Sequence, residues 1–133
     1  MARRIRVRTR EREELVDITG PVRALLREAG ARSGALHLWA LHTTCALTVN
    51  EGADPDVARD IVETLRRLVP RRGDYRHVEE ENADAHIKTS LLGPGLTLLV
   101  EEGELLLGTW QRVFLAEWDG PREREIAALF VPG

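Results

Sequence analysis

The stretch "GALHLWALHTTCALTVNE", residues 34–51, constrains the fold more than any other part of the chain. Read at period two, Leu36, Leu38, Ala40 and His42 fall on one side, and His37, Trp39, Leu41 and Thr43 on the other. Both sides are mostly apolar, which predicts a long central strand covered on both faces. A chain of 133 residues can bury such a strand in one core without disulfides or a structural metal. A single domain over residues 1–133 is expected.

The remaining segments supply the covering layers. In "RRIRVRTRER" the arginines 4, 6, 8 and 10 alternate with Ile5, Val7 and Thr9, the pattern of a strand with one wet, charged face rather than of a nucleic-acid arm. "EELVDIT" reads as its hairpin partner or continuation. Thr19-Gly20-Pro21 opens a helix with Val22, Leu25, Leu26 and Ala29 on one face and Gly30 as its stop. Asp54-Pro55 opens a second helix, a carboxylate cap followed by proline at the first position, whose expected buried stripe is Val57, Ile61, Leu65, Leu68 and Val69. "AHIKTSLLG" reads as a third, with Ala83, Ile87 and Leu91 lining one face and Asn82, His86 and Ser90 the adjacent one. "LTLLVEEGELLLGTW" is a hairpin turning on glycine, and "QRVFLAEWD" and "EIAALFV" are further strands. The fold class is α+β: a compact domain with a largely antiparallel β-sheet system and two or three helices.

Several function classes fall away. The formal net charge of −3 offers no general electrostatic case for nucleic acid, and no segment has the length of a membrane span. One cysteine, Cys45, fits a reducing compartment, and no apolar segment follows the basic N-terminus, so a cytoplasmic protein is expected. No phosphate-binding glycine loop or glycine-flanked serine elbow occurs.

The chemistry that remains is carried by histidines, one carboxylate and a few cations. His42 stands where an apolar strand turns polar toward Asn50 and Glu51. His77 and His86 flank the acidic stretch "HVEEENADAH". Three imidazoles in short polar segments suit a zinc-, manganese- or iron-type site, although their spacing matches no compact metal signature and each has a plain structural reading. On the strand "QRVFLAEWD", Gln111, Val113, Leu115, Glu117 and Asp119 share a face. A carboxylate among core residues must be paired, metal-bound or protonated, and an arginine salt bridge is its structural reading. Arg122 and Arg124 after the "DGP" turn could clamp a phosphate with their planar forks, or simply face solvent. Lys88, the sole lysine among the 19 Lys and Arg residues, lies one helical step from His86. Cys45 reads as a small buried hydrophobe.

"HTTCALTVNE", "DPDVARDI", "YRH…ENADAHIKTSLLG" and "GELLLGTWQRVFLAEWDGPRER" together resemble the YjbQ (UPF0047) family over nearly the whole chain. The resemblance implies a β-rich α+β subunit that assembles as a homotrimer. It also implies an activity assigned to some members, secondary thiamine-phosphate synthase, which joins a pyrimidine pyrophosphate to a thiazole phosphate and releases pyrophosphate. The family's shared polar residues correspond here to His42, Asn50, Glu51, His77, Asn82, His86, Gln111, Glu117 and Arg122. The acid-rich "HVEEEN" departs from the usual loop. The expectation is a metal-binding transferase acting on phosphorylated small molecules. His42, His77 and His86 would hold a divalent zinc, manganese or magnesium ion. Lys88 and Arg122 would hold phosphate, and Asn50, Glu51, Asn82, Gln111 and Glu117 would complete the site. The competing readings are a non-catalytic trimer that binds a metal or metabolite, and a metal-dependent hydrolase.

Overall fold

The computed structural model describes residues 2–133 as two antiparallel sheets and three helices. The strands are β1 (Arg3–Arg8), β2 (Glu14–Asp17), β3 (Gly34–Ala40), β4 (Cys45–Glu51), β5 (Gly95–Glu101), β6 (Glu104–Leu105), β7 (Gln111–Glu117) and β8 (Glu123–Pro132). The helices are α1 (Thr19–Ala29), α2 (Pro55–Leu68) and α3 (Ala83–Leu92). One sheet has the order β1-β8-β3-β5-β6 and the other β2-β7-β4.

The main core lies between the sheets. Ile5 and Val7 of β1, Leu36 and Leu38 of β3, Leu98 and Val100 of β5 and Ile126 of β8 face Leu47 of β4 and Val113 and Leu115 of β7. Val22, Leu25 and Leu26 of α1 join the same core. The other face of the smaller sheet is covered by α2 and α3, where Ala46, Val62, Ala85, Ala116 and Trp118 form a second cluster. The period-two reading of β1 holds, with Ile5, Val7 and Thr9 inward. So do the starts of α1 and α2: the Asp54 carboxylate accepts the Asp56 amide. The Glu102-Gly103 turn between β5 and β6 places both residues at positive φ, as a tight two-residue hairpin turn requires.

Four expectations are corrected. Residues 34–51 form two strands in different sheets, separated at Leu41–Thr44. Only one face of β3 is covered: Trp39 is 55% exposed. β2 does not pair with β1 but crosses to the second sheet and pairs with β7. The crossing runs tight against Gly120, where an added Cβ would lie 2.2 Å from the Glu11 carbonyl oxygen. In α2 the buried residue is Val62, and Leu68 is exposed. In α3 the face turned inward is not Ile87 and Leu91, both exposed, but Asp84, Ala85, Lys88 and Thr89.

Candidate functional site

At one end of the sandwich the core ends in ionised groups. Glu117, the last residue of β7, is fully buried and faces β8 and the end of β1. Its Oε1 accepts hydrogen bonds from Thr9 Oγ1 and Arg124 Nε, each at 2.8 Å. Its Oε2 accepts from the Asp119 amide at 3.0 Å and from Arg124 Nη2. Arg124 also donates to Thr44 Oγ1 at 2.8 Å. Burial alone would raise the Glu117 pKa, but hydrogen bonds from Arg124, Asp119 and Thr9 and the guanidinium charge hold it below the ordinary carboxylate range. The carboxylate is therefore buried and arginine-bound, as one reading of the sequence required. Its oxygens are taken up by donors, which makes it an anchor rather than a metal ligand or a base.

From this anchor a chain of hydrogen bonds runs to the surface. Asp119, fixed by its amide to Glu117, accepts from Asn82 Nδ2 at 2.8 Å and from Arg122 Nη2 at 3.1 Å on the same oxygen. Arg122 Nε donates to the Asp119 carbonyl at 2.8 Å. Because Asn82 donates to a carboxylate, its Oδ1 is the acceptor in its 3.0 Å bond to His77 Nε2. His77 Nε2 thus carries a proton, and in the neutral ring the lone pair lies on Nδ1. This matches the way a protein orients a metal-binding or proton-accepting imidazole, through a hydrogen bond at its other nitrogen. His86, from the first turns of α3, stands edge-on to His77 with ring centroids 5.3 Å apart. The two rings share a groove of about 440 Å³ with Tyr75, Arg76, Ala83 and Ile87. The backbone entering α3 is strained here: Glu80 and Glu81 both have positive φ.

The other expected site residues lie elsewhere. His42 sits between β3 and β4, and its Nε2 accepts the Glu125 amide at 2.8 Å. Nδ1 therefore carries the ring's proton, which offers a donor rather than a metal-binding lone pair. Burial first, and then the Arg124 charge, hold His42 below its ordinary pKa despite Glu117 and Glu125. Among the described residues no group of three or more His, Cys, Asp or Glu side chains is arranged to hold a metal ion. Two imidazoles bound tetrahedrally to one ion at about 2.0–2.1 Å would have ring centres roughly 5 Å apart, and the His77–His86 centroid distance of 5.3 Å matches that spacing.

Lys88 is not at a phosphate site. It is fully buried, bonded to Glu13 Oε2 at 2.6 Å and Asp84 Oδ2 at 2.7 Å, with its ammonium 5.5 Å from the Trp118 ring centroid. Arg12 and Arg66 complete the network at Asp84 and Glu13. Burial would raise both carboxyls, but these cations hold them below the ordinary range.

Asn50, Glu51 and Gln111 sit at the opposite end of β4 and β7, where Glu51 pairs with Gln111 and Cys45 with Glu117. Six strand steps make that about 20 Å. There they cap local amides: Asn50 that of Glu51, Glu51 that of Asp54, and Gln111 that of Gly108. Cys45 is buried and its thiol is pushed up to about 11, chiefly by burial. The sequence does not mark Thr9, Tyr75 or Arg76 as site residues, and it marks Asp119 only as a neighbour of Glu117 on the strand face. The "YRH" triplet carries Tyr75 and Arg76 in plain view, but nothing in its spacing separates a groove wall from an ordinary loop.

Fold and site together define a two-sheet α+β domain, backed by helices on one side, with a histidine-lined groove at the start of its third helix. The chain belongs to the YjbQ-like UPF0047 family, whose family model matches residues 3–132. It is 45% identical to the UPF0047 protein of Methanocaldococcus jannaschii over 90% of this chain and 86% of that one. It is 40% identical to the UPF0047 protein YugU of Bacillus subtilis over 93% and 94%. A crystal structure of a YjbQ/UPF0047 protein from Clostridium acetobutylicum superposes with a TM-score of 0.93 at 41% identity, covering 96% of this chain and 98% of that one. A hypothetical protein from Aeropyrum pernix superposes with a TM-score of 0.94 at 37% identity, covering 100% and 99%. No helix among the described residues is long and apolar enough to cross a membrane.

Proposed function

We propose that the His77–His86 groove binds a phosphorylated small molecule together with a divalent cation, and that the chain is a cytoplasmic transferase of the thiamine-phosphate synthase type. The observation that supports this best is the relay from Glu117 through Asp119 and Asn82 to His77. It fixes one imidazole with a free lone pair beside a second, and the same Asp119 oxygen holds Arg122 nearby. His77 and His86 would hold the cation, with phosphate oxygens and water completing its coordination. Bound there, the cation would neutralise charge on the departing pyrophosphate as the bond to the pyrimidine methylene carbon breaks. The protein's own part is positioning: one oriented imidazole beside a second, a guanidinium pinned at two atoms, and a groove wall on one side.

The working form we propose is a homotrimer. The uncovered face of the larger sheet carries Trp39, Leu99, Leu129 and Val131, all exposed. Strand register sets Leu99 and Val131 on either side of Ala35. An apolar sheet face of this kind suits burial against a neighbouring subunit.

The test is turnover of the pyrimidine pyrophosphate and thiazole phosphate with a divalent ion present. Thiamine phosphate should form, and chelation or His86→Ala should abolish it. No product from wild-type protein that binds metal would leave the non-catalytic binding protein as the better reading.

A further inference from the structure

Every titratable group on the groove wall, other than the phenol of Tyr75, is basic: Arg76, His77 and His86. This is unexpected for a chain of net charge −3, and more so beside the consecutive acids Glu79, Glu80 and Glu81. The loop keeps those acids off the groove wall. Glu81 is drawn toward Arg71, whose Nε also donates to the Glu81 carbonyl at 3.2 Å. Glu80 turns its carboxylate toward Asn82 Nδ2. Of the nearby cations, Lys88 is sealed by two carboxylates and Arg122 is pinned by Asp119. Arg76 is exposed on the groove wall and, among the described residues, forms no ion pair. Its neighbour Tyr75 is fixed, because its hydroxyl bonds the Pro70 carbonyl at 2.5 Å and its ring packs on Gly73. The backbone presenting Arg76 is thus held while its guanidinium is left free.

We infer that Arg76 is the residue that captures the phosphate end of the substrate in this groove, the role the sequence assigned to Lys88 and Arg122. The assignment rests on the reading of the groove as a phosphate-ester site and names the side chain that gives it affinity. A planar guanidinium matches two phosphate oxygens at once, which an ammonium cannot, so Arg76→Lys should restore only part of what Arg76→Gln removes.

The probe is inorganic pyrophosphate, titrated calorimetrically into the purified protein. A charged hydrogen bond to phosphate is worth about a factor of ten or more, so Arg76→Gln should raise the Kd at least about tenfold. Arg27→Gln makes the same charge change on the exposed side of α1, away from this groove, and it should shift the Kd less than about twofold, the size of a screened surface charge. Equal effects of the two variants, no effect of Arg76→Gln, or no pyrophosphate binding by the wild type would each overturn the assignment. Arg76 is exposed, so both variants should retain the wild-type melting temperature. Failure of thiamine phosphate to form, with Arg76-dependent pyrophosphate binding intact, would reject the transferase reading and leave this one standing. If turnover occurs, Arg76→Gln should raise KM while kcat changes little; a fall in kcat alone would also overturn it.

Discussion

Replacing Glu117 by glutamine should cost this protein stability before anything else. The carboxylate is fully buried and accepts from Thr9, the Asp119 amide and both ends of the Arg124 fork. Glutamine keeps the volume but leaves the Arg124 charge uncompensated and points an NH₂ at donors. Removing one partner of a buried ion pair costs about 3–5 kcal/mol. Unfolding entropy of about 2.1 cal/mol/K per residue gives about 0.28 kcal/mol/K for 133 residues, so that loss corresponds to about 11–18 °C. The assay is thermal and urea unfolding at one fixed protomer concentration, since self-association would make the midpoint concentration-dependent. The double variant Glu117→Gln/Arg124→Gln should lose less than the two single losses summed, because most of each is the orphaned charge. Acid should reproduce the effect. Folding depresses the Glu117 pKa, so its stabilisation is present above the unfolded carboxyl value of about 4.3 and is lost as pH falls through the folded value. A single-variant loss below about 1 kcal/mol with additive double-variant behaviour would refute the reasoning, because the pair would then be as weak as an exposed one.

Lys88→Met should destabilise by about 3 kcal/mol, the low end for a broken buried pair, because Arg12 and Arg66 still face Asp84 and Glu13; urea midpoints check it. His42 has a folded pKa below its ordinary value, so the unfolded chain takes up its proton first and stability should fall as pH drops below about 6.5. In His42→Gln that slope between about pH 7 and 5 should flatten, read from unfolding free energies across pH. Trp39→Glu should shift a trimer toward monomer in light scattering at micromolar concentration, and a wild type that is monomeric there would remove the assembly from the account.

What the sequence made legible was the chemistry that acts over a few residues. A carboxylate before a proline starts α2, a glycine ends α1, and alternation sets the faces of β1 and β7. Glu117 could be recognised as buried and paired because its strand neighbours are core residues. What stayed hidden depends on contacts between distant segments. Alternation runs through Leu41–Thr44 without a break, yet the chain changes sheets there. The Glu125 amide bonded to the His42 ring marks the change, and no local pattern contains that contact. The inward face of α3 is hidden from the sequence for the same reason. The sequence reads Lys88 as a cation free to meet phosphate, but Asp84 one turn away and Glu13 from the β1–β2 crossing bond its ammonium, and Arg12 completes the charge of Asp84. With the charges satisfied, Ala85 and Thr89 can turn inward beside them, and Ile87 and Leu91 are left outside. Asn50, Glu51 and Gln111 were grouped with the histidines by resemblance alone, and the strand direction separates them.

The relay also determines which variants can distinguish a damaged site from a damaged fold. Glu117 holds the Asp119 amide, Asp119 orients Asn82 and Arg122, and Asn82 sets the His77 proton. A change at Glu117 therefore moves the groove and the core together, and lost activity there would say little about chemistry. His86 stands differently. It is half-buried, its ring meets His77 edge-on and makes no hydrogen bond among the described residues, and only its backbone is engaged, donating to the Asn82 carbonyl and accepting from Ser90 Oγ. Truncating it removes an imidazole from the groove while leaving the relay and both ion networks in place. Arg76 shares that independence from the outer side of the groove. A loss of function at His86 or Arg76 with an unchanged melting temperature is thus evidence about the site itself, whereas the same loss at Glu117, Asp119 or Lys88 is first evidence about the fold.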